Sequence, residues 1–183
     1  DVDRREFRGF GRVEITDPYG ARSVSYFHQG GGYDDDAHGE FQDEGAIAKK
    51  GIPYCVEAYG SDGKLYIRTI NKVVQEPVQT GMDWYFAYTA QTITMEYEGL
   101  QTYRAKAQSA TYDVTHGRIK TSTSYGEVEN VDIEDHTFSD VEYADGRDDY
   151  TYITTTEFYD FAAGNSDILN KIERTWVSTD GIY

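Results

Sequence analysis

Histidine, cysteine, serine and paired carboxylates are the residues through which this chain could do chemistry, so their spacing is read first. The four histidines, His28, His38, His116 and His136, are scattered. There is no H-E-x-x-H word and no cysteine pair, so their spacing does not specify zinc, and they read as surface or turn histidines. Cys55 is the sole cysteine, which rules out an intrachain disulfide. Set in the alternating run from Pro53 to Tyr59, it reads as a small packing residue rather than a nucleophile. No serine occupies a G-x-S-x-G elbow, so nothing in the sequence places a base beside one. Asp34, Asp35, Asp36, Glu40, Asp43 and Glu44 could offer calcium hard oxygen ligands, yet the alternating ligands, central glycine and terminal glutamate of an EF-hand are missing. A solvated acidic loop is the plainer reading of 34–44, with calcium as its alternative. Thirty-three Asp and Glu must contain pairs, but glycoside hydrolysis needs a separation that sequence does not supply. Trp84, Tyr85, Phe86 and Tyr88 could stack on a sugar, and packing across strands explains them equally well. The expectation is a chain with no catalytic residues, no cofactor and no metal.

The elements that must carry these residues are strands. Tyrosine alone supplies 17 residues while only two are Met, so the apolar surface on offer is aromatic and amphipathic, which favours sheet over helix. Seventeen basic against 33 acidic residues give a net charge of -16, which repels phosphates and anionic membrane surfaces and excludes a nucleic-acid partner. No stretch approaches the ~20 apolar residues of a membrane helix, so no membrane span is expected. At 183 residues the chain fits one β-rich segment, 1–183. It opens at Asp1 without Met and almost at once enters a strand pattern, which reads as a piece of a longer polypeptide.

Period-two alternation recurs along the chain, and sustained helical periodicity is nearly absent. The first hairpin runs from Arg12 through Asp17-Pro18-Tyr19-Gly20 to Phe27. With those four residues as its loop, Val13 falls opposite Val24, and Ile15 and Tyr26 share their face. The second joins Tyr54–Tyr59 to Lys64–Thr69 through Gly60-Ser61-Asp62-Gly63, which places Val56 opposite Ile67 and Ala58 opposite Leu65. Further strands are expected over Trp84–Tyr97, Gln101–Tyr112, Arg118–Tyr125, Val131–Glu142, Asp149–Tyr159 and Leu169–Ser178. Turn words separate them: Glu98-Gly99, His116-Gly117, Tyr125-Gly126, Ala144-Asp145-Gly146 and Gly164-Asn165. The segment His28–Lys50 interrupts the pattern as a long loop with room for a short helical turn within 40–50.

Several words resemble a known family. Arg5-Glu6-Phe7-Arg8-Gly9-Phe10-Gly11-Arg12-Val13, Asp17-Pro18-Tyr19-Gly20 and Tyr26-Phe27-His28-Gln29-Gly30 resemble a segment of the B component of ABC-type insecticidal toxin complexes and related virulence-plasmid toxins. Lys50-Gly51-Ile52-Pro53-Tyr54 and Glu57-Ala58-Tyr59-Gly60-Ser61-Asp62-Gly63 resemble the segment that follows in those proteins. Tyr112-Asp113, Gly117-Arg118-Ile119, Thr121-Ser122-Thr123 and Tyr125-Gly126 look like an RHS/YD repeat. Here Val114-Thr115-His116 inserts one residue more than the usual spacing. A weaker copy begins at Tyr159-Asp160 and resumes at Leu169-Asn170-Lys171-Ile172, without the Gly-Arg word. Tyr112, Asp113, Gly117 and Arg118 are therefore the repeat-motif residues.

The resemblance implies an all-β fold of consecutive antiparallel hairpins in an extended, curved YD-repeat-type sheet. It further implies a secreted, non-enzymatic shell segment that helps to encapsulate a C-terminal toxic polypeptide. Its partners would be neighbouring repeats of the same polypeptide, the enclosed toxin and other toxin-complex subunits. The alternative is a secreted β-sandwich module that binds carbohydrate or a receptor.

Overall fold

The computed structural model describes residues 9–30, 47–81, 83–140, 152–158 and 172–179. Ten strands form one sheet: β1 (Arg12–Thr16), β2 (Arg22–Phe27), β3 (Pro53–Tyr59), β4 (Leu65–Pro77), β5 (Tyr85–Glu96), β6 (Arg104–Asp113), β7 (Arg118–Asp132), β8 (Thr137–Asp140), β9 (Tyr152–Phe158) and β10 (Ile172–Thr179). Every pairing is antiparallel. Spatial order follows chain order from β1 to β7, then β9 and β10, while β8 pairs with the far half of β7. The expected run of antiparallel hairpins is what the chain forms. With one sheet and no second layer packed on it among the described residues, the β-sandwich of the alternative reading is not seen. The only helical element described is a single 3-10 turn, Ile47–Lys49, inside the span expected to hold one. It docks by Ala48 N donating to Gln75 Oε1 at 3.3 Å.

Alternation decides which residues face inward, and register decides what they meet. Antiparallel partners share a face. One row across the sheet is therefore Tyr26, Cys55, Ile70, Ile93, Ala107 and Gly126, and the next is Val24, Glu57, Arg68, Met95, Ala105 and Val128. These rows supply most of the buried core. A single sheet cannot bury its own face, and here the cover comes from the chain bending over it. Val131, Ile133 and Phe138 of the β7–β8 hairpin pack on the cluster, with Tyr59, Tyr97 and Tyr125. Gln91 Nε2 donates to the carbonyl of His136 at 2.5 Å and ties that hairpin to β5.

Bulges produce the bending. An extra residue enters at Tyr54 against β2, Tyr66 against β3, Ala90 against β4, Lys120 and Tyr125 against β6, and Glu173 against β9. Each bulge adds twist and re-aims a side chain. This is why Tyr54 and Cys55 are neighbours in sequence and both buried, which strict alternation forbids.

Both expected hairpin registers need correction. In the first, Asp17 N donates to Ala21 O and Gly20 adopts a φ of 91°, so the glycine adds one residue to the loop. Val24 then faces Glu14, Val13 faces Ser25 and Ile15 faces Ser23, on the side away from Tyr26. A one-residue slip exchanges the faces, and Ile15 is left exposed. In the second, Gly60 N donates to Lys64 O with Gly63 at φ 76°, and the Tyr66 bulge adds a further residue. Val56 therefore pairs with Thr69 and Ala58 with Ile67. Tyr125-Gly126 is likewise not a turn: β7 runs on to Asp132, with Tyr125 bulged and Gly126 at φ 71°. The strand expected from Val131 is divided, since 131–132 end β7 and β8 begins at Thr137. Loop 34–44, Ala144-Asp145-Gly146, Tyr159-Asp160 and Gly164-Asn165 lie outside the described residues.

Candidate functional site

The four repeat-motif residues come together at the β6–β7 hairpin. Tyr112 and Asp113 end β6, Gly117 closes the loop and Arg118 starts β7, with Asp113 and Arg118 directly paired. The carboxylate organises the turn. Its Oδ1 accepts from Thr115 N at 3.2 Å, and its Oδ2 from Arg118 Nη2 at 2.8 Å. Gly117 N returns to the Asp113 carbonyl at 2.8 Å with φ at 67°, a conformation that glycine adopts without strain. His116 Nδ1 lies 2.8 Å from Asp113 Oδ2 and 3.1 Å from Arg118 Nη2. One ring nitrogen cannot donate to the first and accept from the second at once. The carboxylate only accepts and the guanidinium only donates, so the tautomer decides which of the two contacts is the hydrogen bond.

Burial alone would raise the Asp113 pKa, but hydrogen bonds from Arg118 and His116 outweigh it and hold the carboxyl at about 2. It is a locked carboxylate, unsuited to trading protons near neutrality. Beside it Tyr112 joins an aromatic group, with ring centroids 4.5 Å from Tyr88 and 5.7 Å from Phe86. Phe86 in turn lies over Gly117, where a Cβ would come within 3.3 Å of the ring. Tyr88 donates its hydroxyl to Glu76 Oε1. Burial first, and that hydrogen bond second, push its pKa up to about 12. Of the aromatics considered for sugar stacking, Phe86 and Tyr88 stack on each other at 5.7 Å, and Trp84 and Tyr85 stay exposed.

The β7–β8 hairpin repeats this turn without its sequence words. Asp132 Oδ1 accepts from Glu134 N at 2.9 Å and Asp135 N at 3.1 Å, and His136 takes the positive-φ position at 51° where the first hairpin has Gly117. Val131 and Thr137 stand where Tyr112 and Arg118 do. Sequence reading missed this copy because it has neither glycine nor arginine. The available signal was an aspartate at a strand end, a device also used by Asp17, which accepts from Tyr19 N and Ala21 N, and by Asp62, which accepts from Lys64 N.

A second group escaped notice altogether. Glu57 is 2% exposed, and both Arg68 Nε, at 2.9 Å, and Arg68 Nη2, at 2.7 Å, donate to its Oε1. Tyr59 OH donates to Oε2 at 2.8 Å, and burial followed by that bond pushes the Tyr59 pKa to about 12. Arg22 covers the Tyr59 ring at 4.1 Å. Within the sheet this is a saturated network with no acid or base left to work.

Histidine and cysteine are also placed. His116 and His136 are turn residues, as expected, although His136 is buried in its turn; His28 is buried beside the core, which corrects its reading as a surface or turn group. His28 lies 5.0 Å from the Tyr54 ring, and its backbone pairs with Ile52 and Gly51. His38 lies outside the described residues. Cys55 is fully buried in the core, as its alternating context implied. Among the described residues no group of three or more His, Cys, Asp and Glu is arranged to hold a metal ion, and no helix is long and apolar enough to cross a membrane. No protein-family model, no curated protein and no solved structure matches the chain.

Proposed function

We propose that this chain is a structural, non-enzymatic wall segment of a secreted YD-repeat shell, acting by enclosure of a toxic C-terminal polypeptide. The observation that carries this reading is the order of the sheet: each strand lies beside its predecessor from β1 to β7, and the path continues through β9 to β10. A wall grown hairpin by hairpin needs that order, because each unit then buries its face against near neighbours in the chain. The polar groups at the Tyr112-Asp113 and Gly117-Arg118 turn support the same role, since they are used up in fixing the hairpin. The charge of -16 suits an exported surface that must stay soluble. Neighbouring repeats, the enclosed polypeptide and other toxin-complex subunits are the partners that go with this role.

The test is electron microscopy and limited proteolysis of the polypeptide encoded by the complete reading frame around this chain. A hollow particle that shields a compositionally distinct C-terminal region from protease is the expected result. A solid globule, or a frame that stops after Tyr183, would overturn the proposal.

A further inference from the structure

Seventeen tyrosines raise the question of which of them the fold prepares for oxidation. Two conditions must meet. A phenol loses an electron readily when its hydroxyl can hand the proton to a base within hydrogen-bond reach. The radical is then trapped as a carbon–carbon bond when a second phenol ring lies against the first. Among the described residues, tyrosine rings meet at 6.3 Å in Tyr26 and Tyr54, at 5.1 Å in Tyr97 and Tyr103, and at 4.5 Å in Tyr88 and Tyr112. The last distance is at the short end of the ~4.5–7 Å range of packed rings. It is also close to the separation of two rings bonded directly.

The base separates these pairs. Tyr26 and Tyr54 are buried in the core, away from an oxidant in solution. Tyr97 donates its hydroxyl to Met95 Sδ at 3.7 Å and lies beside Arg68, and neither a thioether nor a guanidinium takes a proton. Tyr59 does reach a carboxylate, Glu57 Oε2 at 2.8 Å, but what covers its ring at 4.1 Å is the Arg22 guanidinium and not a second phenol. Tyr88 meets both conditions. It pairs with Val74 on β4, which makes Glu76 its diagonal neighbour, and Glu76 Oε1 accepts the hydrogen bond of its hydroxyl. On its other side Gln91 pairs with Ser109, and past the Ala90 bulge β5 brings the Tyr88 ring against Tyr112 of β6. Phe86 lies 5.7 Å from each ring and keeps the pair in place. Glu76 is exposed and both tyrosines are half-buried, so the group is open to solvent.

We propose that Tyr88 and Tyr112 are a site of oxidative cross-linking, joined as a dityrosine by a peroxide-driven one-electron oxidant of the haem-peroxidase class, with Glu76 as the proton acceptor. The oxidant takes one electron from each phenol. Tyr88 gives its hydroxyl proton to Glu76, and Tyr112 gives its own to water. A bond forms between the two ring carbons ortho to the hydroxyls; each of those carbons then loses its hydrogen as a proton while its oxygen regains one, which restores both phenols. Hydrogen peroxide takes up the two electrons and two protons and leaves as two waters. The new bond fastens the Tyr112-Asp113 hairpin covalently to β5. The inference stands on these side chains and does not rest on the shell reading.

The test is treatment of the dilute 183-residue chain with a haem peroxidase and limiting hydrogen peroxide, followed by dityrosine fluorescence and peptide mapping. An intramolecular product lighter by two hydrogens is expected, linked at Tyr88 and Tyr112 before any link at Tyr97 and Tyr103. Tyr112→Phe should remove most of the early fluorescence, and Tyr97→Phe should leave it unchanged. Glu76→Gln keeps an oxygen for the hydroxyl but cannot take its proton near neutrality, so it should slow the coupling several-fold with unchanged far-UV circular dichroism. No coupling, earlier coupling at Tyr97 and Tyr103, links only between chains through the exposed Tyr19, early fluorescence that survives Tyr112→Phe, or an undiminished rate in Glu76→Gln would each overturn the proposal.

Discussion

Replacing Arg68 by Met should be among the most damaging single changes in this chain. The substitution keeps most of the aliphatic stem and removes the guanidinium that donates twice to Glu57. Glu57 is 2% exposed, so its carboxylate would be left deep in the sheet without its ion-pair partner. Breaking a buried pair from one side costs ~3–5 kcal/mol. Arg68 retains 22% of its side-chain surface, which admits some water and points to the lower end of that range. A loss of ~3 kcal/mol is a large part of the ~5–15 kcal/mol that holds an ordinary domain together. Urea unfolding followed by circular dichroism would measure it as a lower midpoint at an unchanged slope. Glu57→Leu combined with Arg68→Met should recover most of the loss, because the double change removes the stranded charge as well. The reasoning fails if Arg68→Met costs under ~1 kcal/mol, the range of an exposed ion pair, or if the double variant is no more stable than the single one.

Other outcomes follow from single contacts. Gly60→Ala should cost ~1–3 kcal/mol by overpacking, since the new Cβ would meet the Tyr66 ring at 2.6 Å and Asp62 Oδ1 at 2.8 Å; Tyr66→Ala in the same chain should relieve only the ring's share, and Tyr66→Ala with Asp62→Ala should remove most of the added penalty in thermal melts. Asp113 is held at about 2, below its ordinary value of ~4, so the stability it contributes is complete above ~4 and is lost as pH falls through about 2. Asp113→Asn should therefore flatten the fall of Tm across that window, and an unchanged slope would contradict the lock. Cys55 should react with a thiol reagent only as the chain unfolds; full labelling in native buffer would show that the core is not closed.

Fold type was legible from the residues because period-two alternation and Asp/Gly turn words need no tertiary knowledge. Registers were not, and the cause is specific. Gly20 and Gly63 each add a positive-φ residue to a loop, and Tyr66 adds a bulge that no local word announces. That slip also hid the Glu57 site. In the expected register Glu57 faces Tyr66, and only the real one brings it to Arg68. Tyr125-Gly126 misled for a related reason, since glycine marks a bulge as readily as a turn, and what decides is whether the backbone reverses or continues. The Asp113 turn was readable because its glycine and arginine stand in sequence; the Asp132 turn was not, because His136 takes the strained position without either.

Sequential strand order also governs how the chain responds to a pull. Force applied at its two ends loads the outermost hydrogen bonds of β1 and β10 first, one after another, so the sheet opens as a zipper does and not by shearing many bonds together. Each hairpin released yields its residues at ~3.3–3.6 Å apiece while those behind it hold. A polypeptide built this way can be drawn out in steps from either end under modest tension.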